Sequence, residues 1–430
     1  MRFSLAVQRR RGISKTVVSV LLTIAIAVVS CLRIPGQDSM QKILWTAMAV
    51  VGMVQIGSSI FDWRVPDWLK PKSEQALYLL IWMFVPFGLI SIYSVVYCTL
   101  VGDQIGTTVQ SITTTGYIFV DVFMAAFLLN AFGRNAIRLL SIAVILSYGC
   151  TFVIASLQVG AGNILAELQK SGVKNLFESH DVGVAVVPLV MAHLFIIMRE
   201  GKERPNRMVD AFILVGLFIV LILCGKRSAY LSLCVGTLVA LFLYVTRKVS
   251  FPWMTALCIM GFMVCFLYVV FIHTGLLDIL KDGFGTLSDR YYVWKWFDAQ
   301  YTLLPTYLGK GLGYVHRYMI NGIGPGLVTV YGYLHNSVLQ IYIEAGFIGF
   351  MIWFGVYFGV LPRKARLIGG EWLRGFVVIN MLAMAAMFTI DNTLTYPVYQ
   401  VSLMVSMGAV LMQESSEKPQ VAEREIVKCE

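Results

Sequence analysis

The residues best placed to do chemistry are one histidine and two arginines, each at the edge of an apolar stretch or in the loop beside it. The run His335-Asn336-Ser337-Val338-Leu339-Gln340-Ile341-Tyr342-Ile343-Glu344-Ala345-Gly346 passes from two polar residues directly into an apolar segment, which puts His335 and Asn336 at its mouth. An imidazole exchanges protons near neutral pH and can act as general acid or base. Standing alone, a boundary histidine is simply a hydrogen-bonded interfacial residue, so it needs companions. Gly225-Lys226-Arg227-Ser228-Ala229 is a very short turn between two apolar runs, and it leaves Arg227 little freedom. That arginine reads either as a base snorkelling to an interface or as a ligand-binding guanidinium. Ser288-Asp289-Arg290-Tyr291 supplies another guanidinium from a long loop, where a solvated charge is the alternative. Arg227, Arg290 and His335 together would make a basic pocket suited to a pyrophosphate, held by bidentate charge-assisted hydrogen bonds.

The elements that must position these groups are membrane helices. Of 430 residues 58% are hydrophobic and only 13% charged, with a mean hydropathy of +0.75, beyond what a soluble core of this length needs. The apolar runs are about 17 to 25 residues long, enough to cross a hydrocarbon core of about 30 Å as helices. Lipid offers backbone groups no partners, so helices they must be. Spans are expected at 16–32, 43–61, 76–101, 114–133, 139–157, 182–198, 210–224, 229–246, 252–273, 337–361, 375–390 and 394–412. The fold expected is an all-α polytopic membrane protein of about 12 transmembrane helices. It forms a single integral membrane domain over 1–430, with one long external (periplasmic) loop, 274–336, between spans 9 and 10.

Charge sets the orientation. With the N-terminus inside, 23 of the 34 Lys and Arg fall in cytoplasmic segments and 11 in external ones, a bias that puts both termini in the cytoplasm. The net charge of +10 therefore reflects topology and not a nucleic-acid partner. Arg2, Arg9, Arg10, Arg11 and Lys15 precede the first apolar run without a cleavage pattern, as for a retained first helix. The eight cysteines show no paired or zinc-ligand spacing, and the five histidines are scattered, so no metal site is expected. Gly225-Lys226 is no phosphate loop, because Val220 stands where its first glycine belongs.

The long external loop is the most unusual part of the chain, since connectors of such length are functional or disordered. Its first part, Tyr291-Tyr292-Val293-Trp294-Lys295-Trp296-Phe297, is aromatic enough for an interfacial helix. Its second part, with Gly309, Gly311, Gly313, Gly322, Gly324 and Gly326, is expected to be mobile. Tyr314, His316 and Arg317 lie between and are candidate ligand contacts. Glu344, about two turns into its span, either orients another side chain or is structural. Lys170, Lys174, Glu178 and His180 lie in another external loop, as ligand contacts or as solvated surface. Asp121 lies within a span, where an ionisable group is costly and suggests function, with a hydrogen bond inside the helix bundle as the alternative.

In its helix pattern, and specifically over 225–349, the chain resembles the O-antigen ligase and polymerase superfamily of bacterial envelope enzymes. The resemblance rests on the GKRSAY turn, Arg290 ahead of Trp294, the GKGLGY stretch and HNSVLQIYIEAGFIG. It implies an inner-membrane, polyprenyl-pyrophosphate-dependent glycosyltransferase working at the external face. Its substrate would be a polyprenyl-pyrophosphate-linked oligosaccharide, with no metal, nucleotide or other cofactor. By resemblance Arg227 and Arg290 hold the donor's pyrophosphate and His335 activates the acceptor hydroxyl or assists the leaving group. Asn336, Glu344, Lys226, Tyr314 and Arg317 are the candidate substrate-binding residues. The expected reaction is polymerisation of lipid-linked repeat units into a surface or extracellular polysaccharide, with a flippase and a chain-length regulator as pathway partners. Alternatives are an O-antigen ligase passing glycan to lipopolysaccharide core, a protein O-oligosaccharyltransferase, a proton-coupled glycan or lipid exporter with Asp121 and Glu344 as relay carboxylates, and a membrane scaffold.

Overall fold

The structure, a computed structural model, describes residues 38–61, 73–101, 105–170, 176–198, 207–246, 251–277, 286–322 and 334–415. Every regular element among them is helical. In chain order these are α1 (Asp38–Phe61), α2 (Glu74–Leu100), α3 (Ile105–Phe132), α4 (Ala136–Val159), α5 (Ile164–Leu168), α6 (His180–Met198) and α7 (Arg207–Cys224). There follow α8 (Arg227–Thr246), α9 (Phe251–Thr274), α10 (Thr286–Trp296), α11 (Tyr314–Gly322), α12 (Ser337–Gly355), α13 (Leu361–Phe388) and α14 (Pro397–Ser415).

Local chemistry sets the boundaries. Gly225, at φ +63, turns the chain between α7 and α8, and Gly160, at φ +81, ends α4. Proline opens α14 and lies in the first turn of α13, where its missing N–H costs nothing. Seven stretches of the described residues are long and apolar enough to cross a membrane, which makes the chain an all-α membrane protein with several spans. Two of them, Ser111–Val159 and Ser337–Phe388, run to 49 and 52 residues. Each holds two helices, with left-handed glycines at Gly133 in the first and at Gly346 and Gly370 in the second. Of the expected spans, 16–32 lies outside the described residues and 43–61 falls in α1, whose apolar part is the shorter Trp45–Phe61. Outward apolar stripes mark lipid-facing sides, as with Met208, Phe212, Val215, Ile219 and Ile222 along α7.

The helices sort into two compact units, one over Met1–Ala76, Phe123–Ala229 and Val401–Glu430, the other over Leu77–Val122 and Tyr230–Gln400. In the first unit α6 is the central helix, buried continuously from Val182 to His193. Glycines let helices approach: a Cβ on Gly52 would overlap the Phe123 carbonyl, and one on Gly216 would lie 2.8 Å from Ile145 Cδ1. A polar cluster ties three helices there. Arg138 of α4 donates from Nε and Nη2 to Asp210 of α7 at 2.8 and 2.7 Å, and His193 of α6 stands 3.2 Å from the same carboxylate.

In the second unit the core helix is α12, buried without interruption from Ser337 to Gly346. It packs on α2 through Phe87 and Trp353, whose ring centroids are 4.3 Å apart. A Cβ on Gly261 of α9 would lie 2.6 Å from Leu382 of α13, so these two helices also meet closely. The aromatic run before the glycines forms α10, with Tyr291, Trp294 and Phe297 fully buried in protein. Only Tyr292 and Trp296, about half-exposed, have the outward placement expected of an interfacial helix.

Candidate active site

The site in the second unit is built on a break in α12. At Gly346 the backbone turns to φ +72, and the carbonyls of Ile343 and Glu344 lose the helical partners they would otherwise have. The chain at Tyr307–Gly311 takes their place. Lys310 N–H donates to Ile343 at 3.0 Å, Gly311 N–H to Glu344 at 2.9 Å, and Phe347 N–H to the Tyr307 carbonyl at 2.8 Å. Gly309 has φ +89, and a Cβ on it would lie 2.5 Å from the Glu344 carbonyl oxygen, so both crossing points require glycine.

The opposite side of this segment is pinned by α2 and α3. Tyr93 donates to the Leu308 carbonyl at 2.7 Å, Ser111 to the Leu312 carbonyl at 2.7 Å, and Leu312 N–H donates to Ser94 Oγ at 2.6 Å. The glycine stretch expected to be mobile is therefore buried at Gly309, Gly311 and Gly313, and hydrogen-bonded at the last two. The physical reason is that the broken helix supplies backbone partners that no local pattern announces. Gly324 and Gly326 lie outside the described residues. Glu344, 1% exposed, accepts from Val315 N–H at 3.0 Å and from Gln340 Nε2 at 3.3 Å. Its carboxylate thus holds the N-terminus of α11, where helix amides favour negative charge.

His335 is the only non-glycine residue with positive φ, +51, among the described residues. Such a conformation is strained for a side chain with a Cβ, and the neighbouring bonds hold it. On one side the Leu334 carbonyl accepts from Trp294 Nε1 at 2.8 Å. On the other, Asn336 caps α12 by accepting from Leu339 N–H at 2.9 Å. Ser337 then donates from both N–H and Oγ to the Asp391 carbonyl, each at 3.0 Å.

The turn that follows α13 is where two of the candidate side chains, Arg290 and His335, come together. Tyr268 donates to the Thr389 carbonyl at 2.7 Å, and Arg290 Nη1 to the Ile390 carbonyl at 2.6 Å. The Asp391 side chain is wholly buried, accepts from Asn392 N–H at 3.0 Å, and faces His335 Nδ1 at 3.6 Å. Arg290 and His335 are thus brought to adjacent residues. The arrangement sets a carboxylate beside one imidazole nitrogen and a guanidinium next to them, with four of its five N–H donors beyond the one given to Ile390.

Of the remaining candidates, Tyr314 and Arg317 are partly buried on α11, and the Tyr314 hydroxyl donates to Gln300 Oε1 at 2.8 Å. Lys226 and Arg227 belong to the first unit. Lys226 is buried, its Nζ 2.6 Å from His180 Nδ1, and it packs where a Cβ on Gly183 would lie 2.8 Å from its own Cβ. Arg227 is exposed and opens α8. Asp121 is buried in α3, and its Oδ1 has no hydrogen-bond partner among the described residues.

Sequence reasoning passed over Asp391. Its trace there is one acidic residue in the short external turn between expected spans 375–390 and 394–412, on the side that carries His335. The family model described as O-Antigen ligase matches residues 212–354. That interval holds Lys226, Arg227, Arg290, Tyr314, Arg317, His335, Asn336 and Glu344, while Asp391 lies beyond it. The match supports the O-antigen ligase and polymerase superfamily that the motifs resemble. No curated protein matches the chain.

Proposed function

On the premise of that family match, we propose that this membrane protein transfers a glycan from a polyprenyl-pyrophosphate donor to an acceptor sugar hydroxyl at the external face of the bacterial inner membrane. The observation that carries the proposal is the meeting of Arg290 and His335 at Ile390 and Asp391. In the reaction the acceptor oxygen bonds to the anomeric carbon as the bond from that carbon to the pyrophosphate oxygen breaks. The acceptor proton passes to His335, held by Asp391, and the negative charge developing on the leaving polyprenyl pyrophosphate is met by Arg290. From the motif alone Arg227 carries over as a further pyrophosphate ligand and Lys226 as a substrate-binding residue. A base and a guanidinium between them supply both needs of this step.

The preferred product is a polysaccharide extended on its lipid carrier by a polymerase with about 12 spans and cytoplasmic termini, fed by a flippase and governed by a chain-length regulator. The description of the matching family favours a second reading, in which the acceptor is lipopolysaccharide core. The exporter reading draws less support, because the Glu344 carboxylate is committed to the amides of α11. The test is the size distribution of lipid-linked and surface glycan in a deletion strain complemented with wild type, His335→Ala or Arg290→Ala at matched protein levels. Single repeats with no long chains in the variants support a polymerase; long chains stranded on the lipid carrier support a ligase. Wild-type glycan in both variants would remove these residues from the mechanism.

A further inference from the structure

Apart from the residues proposed as catalytic, the second unit carries a pair of tyrosines tied to one amide. Tyr314 and Tyr318 are one turn apart on α11, with ring centroids 5.7 Å apart and planes 25° from parallel. Gln300 bridges their hydroxyls: Tyr314 donates to Oε1 at 2.8 Å, and Nε2 donates to the Tyr318 oxygen at 3.2 Å. Gln300 is itself fixed, since the Tyr307 hydroxyl lies 3.3 Å from its carbonyl and the preceding Phe297 is fully buried, its ring 5.2 Å from that of Tyr318.

A side-chain amide has one accepting and one donating end, so it polarises the two hydroxyls in opposite senses. Tyr314 uses its proton on the amide, whereas Tyr318 accepts from the amide and keeps its proton to donate. No acceptor for that proton is found among the described residues. If the amide were turned over, the two roles would exchange and the pair would remain complementary. Both rings and Gln300 are partly buried, while Val315 and Met319 on the same helix are buried and fasten it to the core.

We infer that Tyr314, Tyr318 and Gln300 form a binding platform for a pyranose unit of the glycan substrate. A sugar ring offers just this complement: an apolar C–H face to lie on an aromatic ring, and vicinal hydroxyls that each donate and accept. The platform is preorganised, because the amide holds both phenols before a ligand arrives. This identification of a sugar subsite rests on the glycosyl-transfer reading above, and it adds Tyr318 and Gln300 to the residues that would contact substrate.

The test uses the full chain in lipid nanodiscs and fluorescently end-labelled oligosaccharides, released by mild acid from the producing strain's own surface polysaccharide. Tyr318→Phe, which keeps the ring, and Gln300→Leu, which releases both phenols, are each expected to weaken binding about tenfold. Tyr318→Ala should abolish measurable binding. In the transfer assay the phenylalanine variant should raise the acceptor KM with kcat nearly unchanged, the pattern of lost ground-state binding. Thermal unfolding of each variant establishes that it is folded. Wild-type affinity in folded Tyr318→Phe and Gln300→Leu, or no binding of these oligosaccharides by the wild-type chain, overturns the platform. His335→Ala separates the two readings: full transfer activity in that variant, with binding still sensitive to Tyr318, sinks the catalytic assignment and leaves the platform standing.

Discussion

His335 Nδ1 stands 3.6 Å from Asp391 Oδ1, with the carboxylate wholly buried and the imidazole 23% exposed. A buried carboxylate beside one ring nitrogen orients the imidazole and would offset the positive charge that the ring gains on taking the acceptor's proton in the proposed step. Asp391→Asn keeps the shape and an oxygen for Asn392 N–H but removes the charge. The expected outcome is a fall in transfer rate of about a hundredfold or more, with the acceptor KM little altered. Steady-state kinetics on purified enzyme checks it, and an Asn variant as fast as wild type would leave Asp391 only a structural role.

Arg290 donates one of its five N–H groups to the Ile390 carbonyl, so a lysine there keeps the charge while losing the planar fork. Arg290→Lys should lose about tenfold in kcat and Arg290→Ala about a hundredfold to a thousandfold, as when a donor to developing charge is removed. The decisive comparison is at matched protein in the membrane. Equal rates for the lysine variant and wild type would mean that point charge alone suffices.

How much of this was legible in the sequence depends on how local the cause is. Helices were, because lipid forces every long apolar run to bond its backbone internally, and α6, α7 and α9 lie over the expected 182–198, 210–224 and 252–273. His335 stood out because a polar residue at the mouth of an apolar stretch breaks the pattern, and Arg290 because it is a guanidinium in an unusually long loop. Gly309 and Gly311 were misread because glycine content speaks only of backbone freedom. What orders them is the break at Gly346, and the sequence shows no link between the two. Asp391 faces His335 only because Ser337 draws the turn after α13 onto the start of α12. That pairing spans two helices and has no local signature.

The interlock of Gly309 and Gly346 predicts an asymmetry among glycines. Gly346→Ala combines φ +72 with a Cβ 2.5 Å from the Gly309 nitrogen and the Tyr307 oxygen, all backbone atoms that cannot step aside. It should destabilise the protein by about 3 kcal/mol or more, as strain and overpacking add. Gly149→Ala on α4 meets nothing within 4 Å and should be neutral or stabilising by about 0.5–1 kcal/mol. Thermal unfolding in nanodiscs reads both; equal midpoints would refute the interlock.

Tyr301 and Tyr307, in the segment between α10 and α11, have phenols pushed up from the ordinary 10.0, chiefly by burial. A raised folded value means that their contribution to stability is complete below pH 10 and is lost as pH climbs beyond it. Ultraviolet titration should show these two phenols still protonated where exposed tyrosines have ionised. Stability should fall through the same alkaline range, and Tyr301→Phe together with Tyr307→Phe should flatten that fall. An unchanged alkaline slope in the double variant would count against their burial.

The first unit offers a test of a buried charge. Asp210 is 1% exposed and takes two hydrogen bonds from Arg138, with His193 Nδ1 at 3.2 Å and His193 Nε2 3.0 Å from Ser141 Oγ. Removing one partner strands the other in a medium that solvates it poorly. Asp210→Ala is therefore expected to cost about 3–5 kcal/mol. Replacing both charges removes the desolvation penalty along with the attraction, so Arg138→Leu with Asp210→Leu should regain most of that loss, a non-additivity expected of residues in contact. Unfolding midpoints of the two singles and the double decide it. If the two single losses simply add in the double, the pair is not the unit that holds α4 to α7, and the packing around it is.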